Sequence, residues 1–270
     1  LGRLRRLRPA GFGWGRALLY MFSEKCMILP MKINIRDAKE LDLLLESLAF
    51  EIIQARILYR MYCGLIDDMQ EYEDDMNHSP GFWHYTLTSL RETSFLGLCR
   101  IYDQHAEGLN LHNLLETIRD NPQMFATDEF KKRLKDNKFV ESLAAESRTP
   151  QSQNIAEHLR YASEENPIVK KLIVWRNNIV AHRGAKLSLG RKDILNERQI
   201  PEEEINELLD QALKIFNHYS YLFKASTWSS KAIGEDDYKN CLQLLRAGIL
   251  QKKQTFLEAA RANQKTCADD

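Results

Sequence analysis

Apolar side chains recur every three or four residues through most of this chain, which is the spacing of one buried face of an α-helix. The first run begins after Asp37 and predicts a long helix that reaches the mid-70s. The segment 77–81, which contains Pro80 and Gly81, breaks that helix. A second run from Trp83 to Ile101 then predicts a helix that ends near Asp103. The apolar positions of the first run are Leu41, Leu44, Leu45, Leu48, Ile52, Ala55, Leu58, Tyr62 and Leu65.

Turn and capping residues divide the rest of the chain into further helices. Short helical stretches are predicted at about 110–120 and 128–146, the second along a run of charges from Lys131 to Lys138 that is typical of a solvated face. The pairs at 149–150 and 166–167 place a capping residue before a proline, so helices should begin near 150 and 167. Pro201 and three glutamates open another helix with a nearly ideal apolar face. A weaker helix at about 235–262 should either pack as a lid or extend freely.

These patterns predict an all-α protein, an up-and-down helical bundle with an extra C-terminal helix. Alternating strand patterns, internal repeats and long heptad runs are missing from the sequence. We expect one helical domain over residues 31–270, with its core at about 36–225 and a C-terminal extension at 234–262. Residues 1–30 form a basic leader that we expect to be disordered or non-native, because the pattern changes character at Met31.

Composition and charge exclude several classes of protein. Hydrophobic residues make up 44% and charged residues 28%, which is ordinary for a globular protein, and 12 glycines with 7 prolines are few for a β-sandwich. The 38 basic and 38 acidic side chains cancel, so any nucleic-acid site must be local. The leader nevertheless carries six basic residues against Glu24, a balance of +5.

Cysteine usage and hydropathy indicate a cytoplasmic protein. The five cysteines are odd in number and never occur as a C-x-x-C pair, which suggests neither a disulfide framework nor a zinc ribbon. No apolar run approaches the roughly 18 residues of a bilayer span, so we expect no membrane association.

Common catalytic and cofactor motifs are missing as well. The sequence has no phosphate-binding glycine loop, nucleophile elbow, zincin motif or EF-hand spacing. His78 with His84, and His105 with His112, do not stand at ligand spacing on one helical face. We therefore expect neither a metal site nor a cofactor.

One segment, residues 175–183, combines residue types that suit RNA chemistry. An apolar stripe of Ile168, Leu172, Trp175 and Ile179 leaves a polar strip of Arg176, Asn177 and His182 that packing does not require. A histidine exchanges protons near neutral pH, and an arginine binds phosphate bidentately. Spacing alone is not specific, because Arg100 and His105 form a similar pair.

Here the chain resembles the HEPN domains, in which an arginine, a polar residue, a few spacers and a histidine end a helix. The sequence RNNIVAHR, which begins at Arg176, matches that arrangement, and FLGLCRIYDQ at 95–104 resembles a recurrent segment of the abortive-infection AbiU-type branch. The likeness covers about residues 36–225. It implies a metal-independent, dimeric endoribonuclease of defence or toxin type that acts on RNA, with an antitoxin protein as a further partner.

The resemblance assigns roles to particular residues. Arg176, Asn177 and His182 would be catalytic, and Arg183, Arg100 and Asp103 would contact RNA. Six residues of straight helix turn by about 600°, which leaves the Arg176 and His182 side chains about 120° apart. A twofold interface that joins two such strips would build a composite cleft, so we expect a homodimer.

Plainer interpretations stand beside this one. Arg176 would then pair with a nearby acid such as Glu164, and His182 would cap a helix end. Arg100 and Asp103 would form an internal ion pair, or else line the same cleft. As a whole, the protein would be a non-catalytic HEPN-like module that binds RNA, nucleotide or a partner protein.

Other aromatic and histidine positions favour structural roles. Trp83, Trp175 and Trp228 suit core or interface positions better than base stacking, and His105 should be exposed. Some relatives of this kind are regulated by modification of a tyrosine two residues after the motif histidine. This chain has Gly184 there, which argues against that form of regulation.

Overall fold

The computed structural model describes residues 33–177, 200–229, 231 and 233–266. This described part is all-α, as predicted, with ten α-helices, one short 3₁₀-helix at 122–125 and no strand. The basic leader, Ile179, His182, Arg183 and Gly184 lie outside it. The helices are α1 (Ala38–Asp68), α2 (Glu73–Met76), α3 (Pro80–Ile101), α4 (Leu111–Asp120), α5 (Thr127–Arg133), α6 (Val140–Leu143), α7 (Ser152–Tyr161), α8 (Pro167–Trp175), α9 (Glu202–Lys224) and α10 (Asp237–Thr266).

Helix α1 begins directly after Asp37, where the first helix was predicted to begin. The Asp37 carboxylate accepts hydrogen bonds from the backbone N–H groups of Lys39 and Glu40, at 3.0 and 2.9 Å, which satisfies two of the donors that a helix start leaves free. The predicted extension to the mid-70s is wrong, because α1 ends at Asp68 and the separate turn of α2 follows. Pro80 then opens α3 at a position where its missing N–H costs nothing.

The core forms where α1 packs against α3 and α9. Six of the nine predicted α1 positions are buried, and the predicted face of α9 is buried except at Leu222, which is partly exposed. Helices α4, α7 and α8 add further apolar side chains to the same cluster. Bundle packing of amphipathic helices therefore accounts for the fold, as the periodicity predicts.

The connection from α3 to α4 is fixed by two buried asparagines. The side-chain oxygen of Asn110 caps α4, because it accepts a hydrogen bond from the backbone N–H of Asn113 at 2.8 Å. The Asn113 side-chain amide in turn donates to the backbone oxygens of His105 and Gly108, both at 2.8 Å. This loop is thus held to the first turn of α4 rather than left to solvent.

The segment predicted as one helix at 128–146 is two short helices, α5 and α6, so that prediction of continuity is wrong. Its charged run is not wholly a solvated face either. The Arg133 guanidinium donates to the backbone oxygens of Phe223, at 2.9 and 3.2 Å, and of Met124, at 2.8 Å. Its central carbon also lies 3.9 Å from the centroid of the Phe223 ring. Arg133 therefore closes the C-terminal end of α9, where cations are favoured.

The two predicted helix starts before prolines differ in outcome. Asn166 caps α8, because its side-chain oxygen accepts from the N–H of Ile168 at 3.0 Å. Thr149 does not cap α7, which begins at Ser152 after Gln151 without a side-chain cap.

Helix α10 packs only through its first part. Tyr238 and Leu242 are buried in a second small cluster with Leu65 and Met76. The Arg246 guanidinium donates to the carboxylates of Asp75 at 2.7 Å and Glu71 at 3.1 Å. Residues 250–259 are exposed, so α10 is neither a lid nor wholly free. Among the described residues no helix is both long enough and apolar enough to cross a bilayer.

The tryptophans at positions 83, 175 and 228 occupy different environments. Trp83 packs beside the second cluster, and Trp175 packs against the main core. Trp228 is exposed, which rules out the core position for it and leaves the interface position as an expectation.

Candidate active site at the end of α8

Helix α8 is anchored so that its last residue and the two that follow emerge at a defined place. Val169, Leu172 and Ile173 are buried, and the ring centroid of Trp175 lies 4.9 Å from that of Phe95 on α3. The stripe predicted from the sequence omitted Val169 and Ile173. Lys171 Nζ binds both carboxylate oxygens of Glu204 at 2.6 Å, which joins α8 to the start of α9.

Arg176 is held by an acid that follows α3. Its Nη1 forms a short ion pair with Oδ1 of Asp103, and its Nε donates to Oδ1 of Asn177 at 3.1 Å. The side chains of Arg176 and Asp103 are 27% and 28% exposed, so the pair is open to solvent on one side. Asn177 is exposed. The predicted partner of Arg176, Glu164, is therefore wrong, although the prediction of an ion pair is correct.

Asp103 is itself fixed by the loop that carries it. Its Oδ1 also accepts the backbone N–H groups of Gln104 at 2.7 Å and His105 at 3.3 Å. The Gln104 side chain donates to the backbone oxygens of Tyr102, at 3.0 Å, and Ala162, at 2.9 Å. The carboxylate is thus aimed at Arg176 by a loop that is tied to the ends of α3 and α7.

Cys99 lies beneath this pair. Burial raises the pKa of its thiol to about 12, an effect that the nearby Arg176 charge opposes. The thiol is therefore neutral at pH 7 and is a packing group rather than a nucleophile.

Arg100 does not pair with Asp103, so the expected internal ion pair of these two is wrong. Its Nε and Nη2 bind Oε1 of Glu51 on α1, at 2.7 and 2.5 Å, and its side chain is more than half exposed. The end of α3 explains the difference. Arg100 lies within the helix and points toward α1, whereas Asp103 lies beyond its last residue and faces Arg176, so the two are not i, i+3 neighbours on one helical face. His105 is exposed, as expected.

The structure brings together only part of the predicted site. Arg176, Asn177 and Asp103 meet in one place, Arg100 lies on the neighbouring α1–α3 contact, and His182 and Arg183 lie outside the described residues. Helix α8 ends at Trp175, and residues 176–177 form a wider π-helical turn. The straight helix that the 120° estimate assumes is therefore described only as far as Trp175, and His182 lies outside the described residues.

Two residues that support the site, Glu51 and Gln104, were not predicted from the sequence. Gln104 is the last residue of the segment FLGLCRIYDQ, so its place in that segment was the available indication. Glu51 lies on the polar side of α1 and carries no local pattern that points to Arg100.

Residues 38–244 match the family model of the HEPN domain AbiU2. The chain belongs to the HEPN AbiU2 family. This confirms the resemblance drawn from RNNIVAHR and FLGLCRIYDQ, and the match extends past α9 into the first part of α10. No curated protein and no solved structure matches the chain. In this HEPN AbiU2 chain the described residues include no group of three or more histidine, cysteine, aspartate or glutamate side chains placed to hold a metal ion.

Proposed function

We propose that this HEPN AbiU2 protein is a metal-independent endoribonuclease of defence or toxin type. The observation that supports the proposal is the ion pair between Arg176 and Asp103. It orients a partly exposed guanidinium whose Nη2 has no hydrogen-bond partner among the described residues. The planar fork of an arginine matches two oxygens of a phosphate, and a preoriented fork loses less freedom on binding.

Each residue has a role in cleavage by the RNA 2′-hydroxyl. His182 takes the hydroxyl proton, the 2′-oxygen bonds to phosphorus, and the 5′-oxygen leaves and receives a proton. Arg176 binds the phosphate and stabilises the negative charge of the phosphorane, while Asp103 positions Arg176. Asn177 orients the phosphate or the imidazole, and Arg100 and Arg183 contact the flanking backbone. The products carry a 2′,3′-cyclic phosphate and a 5′-hydroxyl.

The active unit in this proposal is a homodimer. Two copies of the Arg176 strip across a twofold axis supply a groove with two cations and two proton-exchanging groups. An antitoxin protein that covers this groove would restrain the activity in the cell.

The alternative is a non-catalytic module that binds RNA, nucleotide or a partner protein through the same strip. The same ion pair favours it in one respect, because Asp103 neutralises the Arg176 charge in the free protein. Binding of a phosphate would then compete with the carboxylate rather than lead to cleavage.

Incubation of purified protein with RNA in EDTA distinguishes the two functions. We expect wild-type protein to yield 2′,3′-cyclic phosphate ends, and Arg176→Ala or His182→Ala to lower the cleavage rate by at least about a hundredfold. The matched control is Arg119→Ala, which removes an exposed arginine that is likewise held in ion pairs, with Asp120 and Glu116. Cleavage retained by Arg176→Ala, with dimer mass and helicity unchanged, would overturn the assignment. RNA binding without products would favour the module.

A further inference from the structure

A cavity of about 670 Å³ opens between α1, α3, the end of α8 and the start of α9. Its size falls within the range of about 300–1,000 Å³ that is common for small-molecule sites. The four aromatic side chains that line it come from three helices: Tyr59 and Tyr62 from α1, Phe95 from α3 and Trp175 from α8. Tyr59 and Phe95 are buried, so the rings form the inner walls.

The rings are arranged as two pairs. The centroids of Tyr59 and Tyr62 are 6.3 Å apart, and those of Phe95 and Trp175 are 4.9 Å apart, both with tilted planes. Aromatic faces carry negative electrostatic potential and attract cations, especially where water is excluded. Such a surface favours an alkylammonium group over an equally large neutral one.

The charged side chains around the cavity also favour a cation. Among the described residues, Asp67, Glu92 and Glu202 line it together with Arg91, which leaves a net charge of −2. No salt bridge joins these three carboxylates to a basic side chain within the described ranges. Their charge is therefore available to a bound cation.

The polar groups deeper in the cavity are neutral at pH 7. Burial raises the pKa of the Cys63 thiol to about 11, and it also raises the pKa of the Tyr59 hydroxyl. The neighbouring Tyr59 opposes the shift at Cys63 by hydrogen bonding to the thiolate. These groups add hydrogen-bonding capacity without changing the negative balance.

The net negative charge of the cavity distinguishes it from the proposed RNA site. A phosphodiester entering it would meet three carboxylates and one guanidinium, which disfavours anions. Arg176 directly follows Trp175 in sequence, but its guanidinium is engaged by Asp103 and it does not line the cavity.

We propose that this cavity is a binding site for a small organic cation, with an alkylammonium head held among Tyr59, Tyr62, Phe95 and Trp175 and its charge balanced by Asp67, Glu92 and Glu202. The ligand class is a compact amine or quaternary ammonium compound with an apolar body. The site does not depend on the proposed ribonuclease activity.

Calorimetric titration with choline and benzyltrimethylammonium tests the proposal, and 3,3-dimethylbutan-1-ol serves as the uncharged isostere of choline. We expect saturable binding of at least one cation, with binding of the isostere about tenfold or more weaker than that of choline. The Trp175 indole N–H resonance, assigned by its loss in Trp175→Phe, should shift with the cation. Equal binding of choline and its isostere, or no saturable binding of either cation up to about 0.1 M, would overturn the proposal.

Variants identify the residues responsible. The double change Asp67→Asn with Glu92→Gln should weaken cation binding by about fivefold or more, since both carboxylates are exposed and their loss leaves the core intact. The control removes two exposed carboxylates away from the cavity, Glu107→Gln with Glu164→Gln, and should leave the affinity within about twofold. If both double variants weaken binding equally, the effect is one of net charge and the assignment fails.

Discussion

Gly97 on α3 meets Ala55 on α1 so closely that a Cβ built on the glycine would lie 2.9 Å from the Ala55 Cβ. The same Cβ would lie 3.3 Å from Oε1 of Glu51, the partner of Arg100. The glycine therefore permits a close approach of α1 and α3, two of the helices that form the core.

Replacement of Gly97 by alanine should destabilise the protein by about 1–2 kcal/mol. The added methyl group must push α1 from α3, at an overpacking cost of about 1–3 kcal/mol, which outweighs the gain of about 1 kcal/mol in helix propensity. Chemical denaturation measures the change. Gly248→Ala is the control, because a Cβ there meets nothing within 4 Å, and it should be neutral or stabilising. An unchanged or raised stability of Gly97→Ala would contradict the close contact.

Loss of the Asp103 carboxylate should impair RNA cleavage more than stability. In Asp103→Ala the Arg176 guanidinium loses its orienting partner, so we expect the single-turnover rate to fall by about tenfold to a hundredfold. The free energy of unfolding should change by no more than about 1 kcal/mol, since the pair is partly exposed.

A double variant distinguishes positioning from general damage. If Asp103 acts through Arg176, the combination of Asp103→Ala with Arg176→Ala should cleave no more slowly than Arg176→Ala alone. Glu116→Gln, which breaks the ion pair with Arg119 on α4, provides the matched loss of an ion pair. Additive rate losses would show that Asp103 does not work through the arginine.

Two histidines between α7 and α9 should make the protein less stable in mild acid. His158 Nδ1 lies 2.9 Å from the hydroxyl oxygen of Tyr219, and the rings of His158 and His218 are 5.7 Å apart. Burial lowers the pKa of both imidazoles, and His218 and Lys214 lower that of His158 further while Glu157 opposes them. The folded protein thus binds protons less readily than the unfolded chain does.

The sign of the effect follows from this difference. Above pH 6.5, the ordinary imidazole pKa, both histidines are neutral in the folded and the unfolded chain, so neither lowers the free energy of unfolding. This free energy falls as the pH drops below 6.5 and through the lowered pKa values of the two histidines in the folded protein. We expect the unfolding free energy of wild type to decline between pH 7 and 5 with a slope below about 1.4 kcal/mol per pH unit for each histidine. The combination of His158→Gln with His218→Gln should flatten this slope, whereas the exposed His105→Gln should not. An unchanged slope in the double variant would refute the assignment.

Arg148 should be among the most sensitive positions of the fold. Its side chain is fully buried and donates to the backbone oxygens of Leu143, at 2.9 Å, and Tyr221, at 3.1 Å. The guanidinium lies 4.7 Å from the ring centroid of Phe130 and 4.6 Å from that of Tyr221. It therefore satisfies one carbonyl group at the end of α6 and one near the end of α9, and it fills the space between two rings.

We expect Arg148→Ala to lower the free energy of unfolding by about 3 kcal/mol, because buried acceptors lose their donors and a cavity remains. Arg148→Lys should recover less than half of this, since an ammonium group cannot stack as a planar fork does. Denaturation of these variants and of the exposed Arg160→Ala provides the measurement. A fully stable Arg148→Lys would mean that only the charge matters at this position.

The helices were predictable from the sequence to the extent that local chemistry fixes them. The predicted start at Asp37 and the predicted cap Asn166 both mark true helix starts, because a side chain that satisfies free N–H groups acts within three residues. The break after α5 was not predictable in the same way, because Arg133 donates hydrogen bonds to the distant end of α9 rather than within its own helix.

The candidate site was predictable in part for a similar reason. Arg176 stood out from its polar strip, but its partner Asp103 is 73 positions away and shares no local pattern with it. The two meet because α3 and α8 pack together and because Gln104 ties the loop to α7. Pairings of this kind come from tertiary packing, which periodicity alone does not encode.

Most of helix α10 extends beyond the residues that attach it to the bundle. Its 30 residues extend about 45 Å, yet Tyr238, Leu242 and Arg246 fasten it within its first third. A small rotation about this attachment would move the far end of α10 along an arc whose length increases with the length of the helix. The same rotation would move the far end of α10 farther than its attached first third.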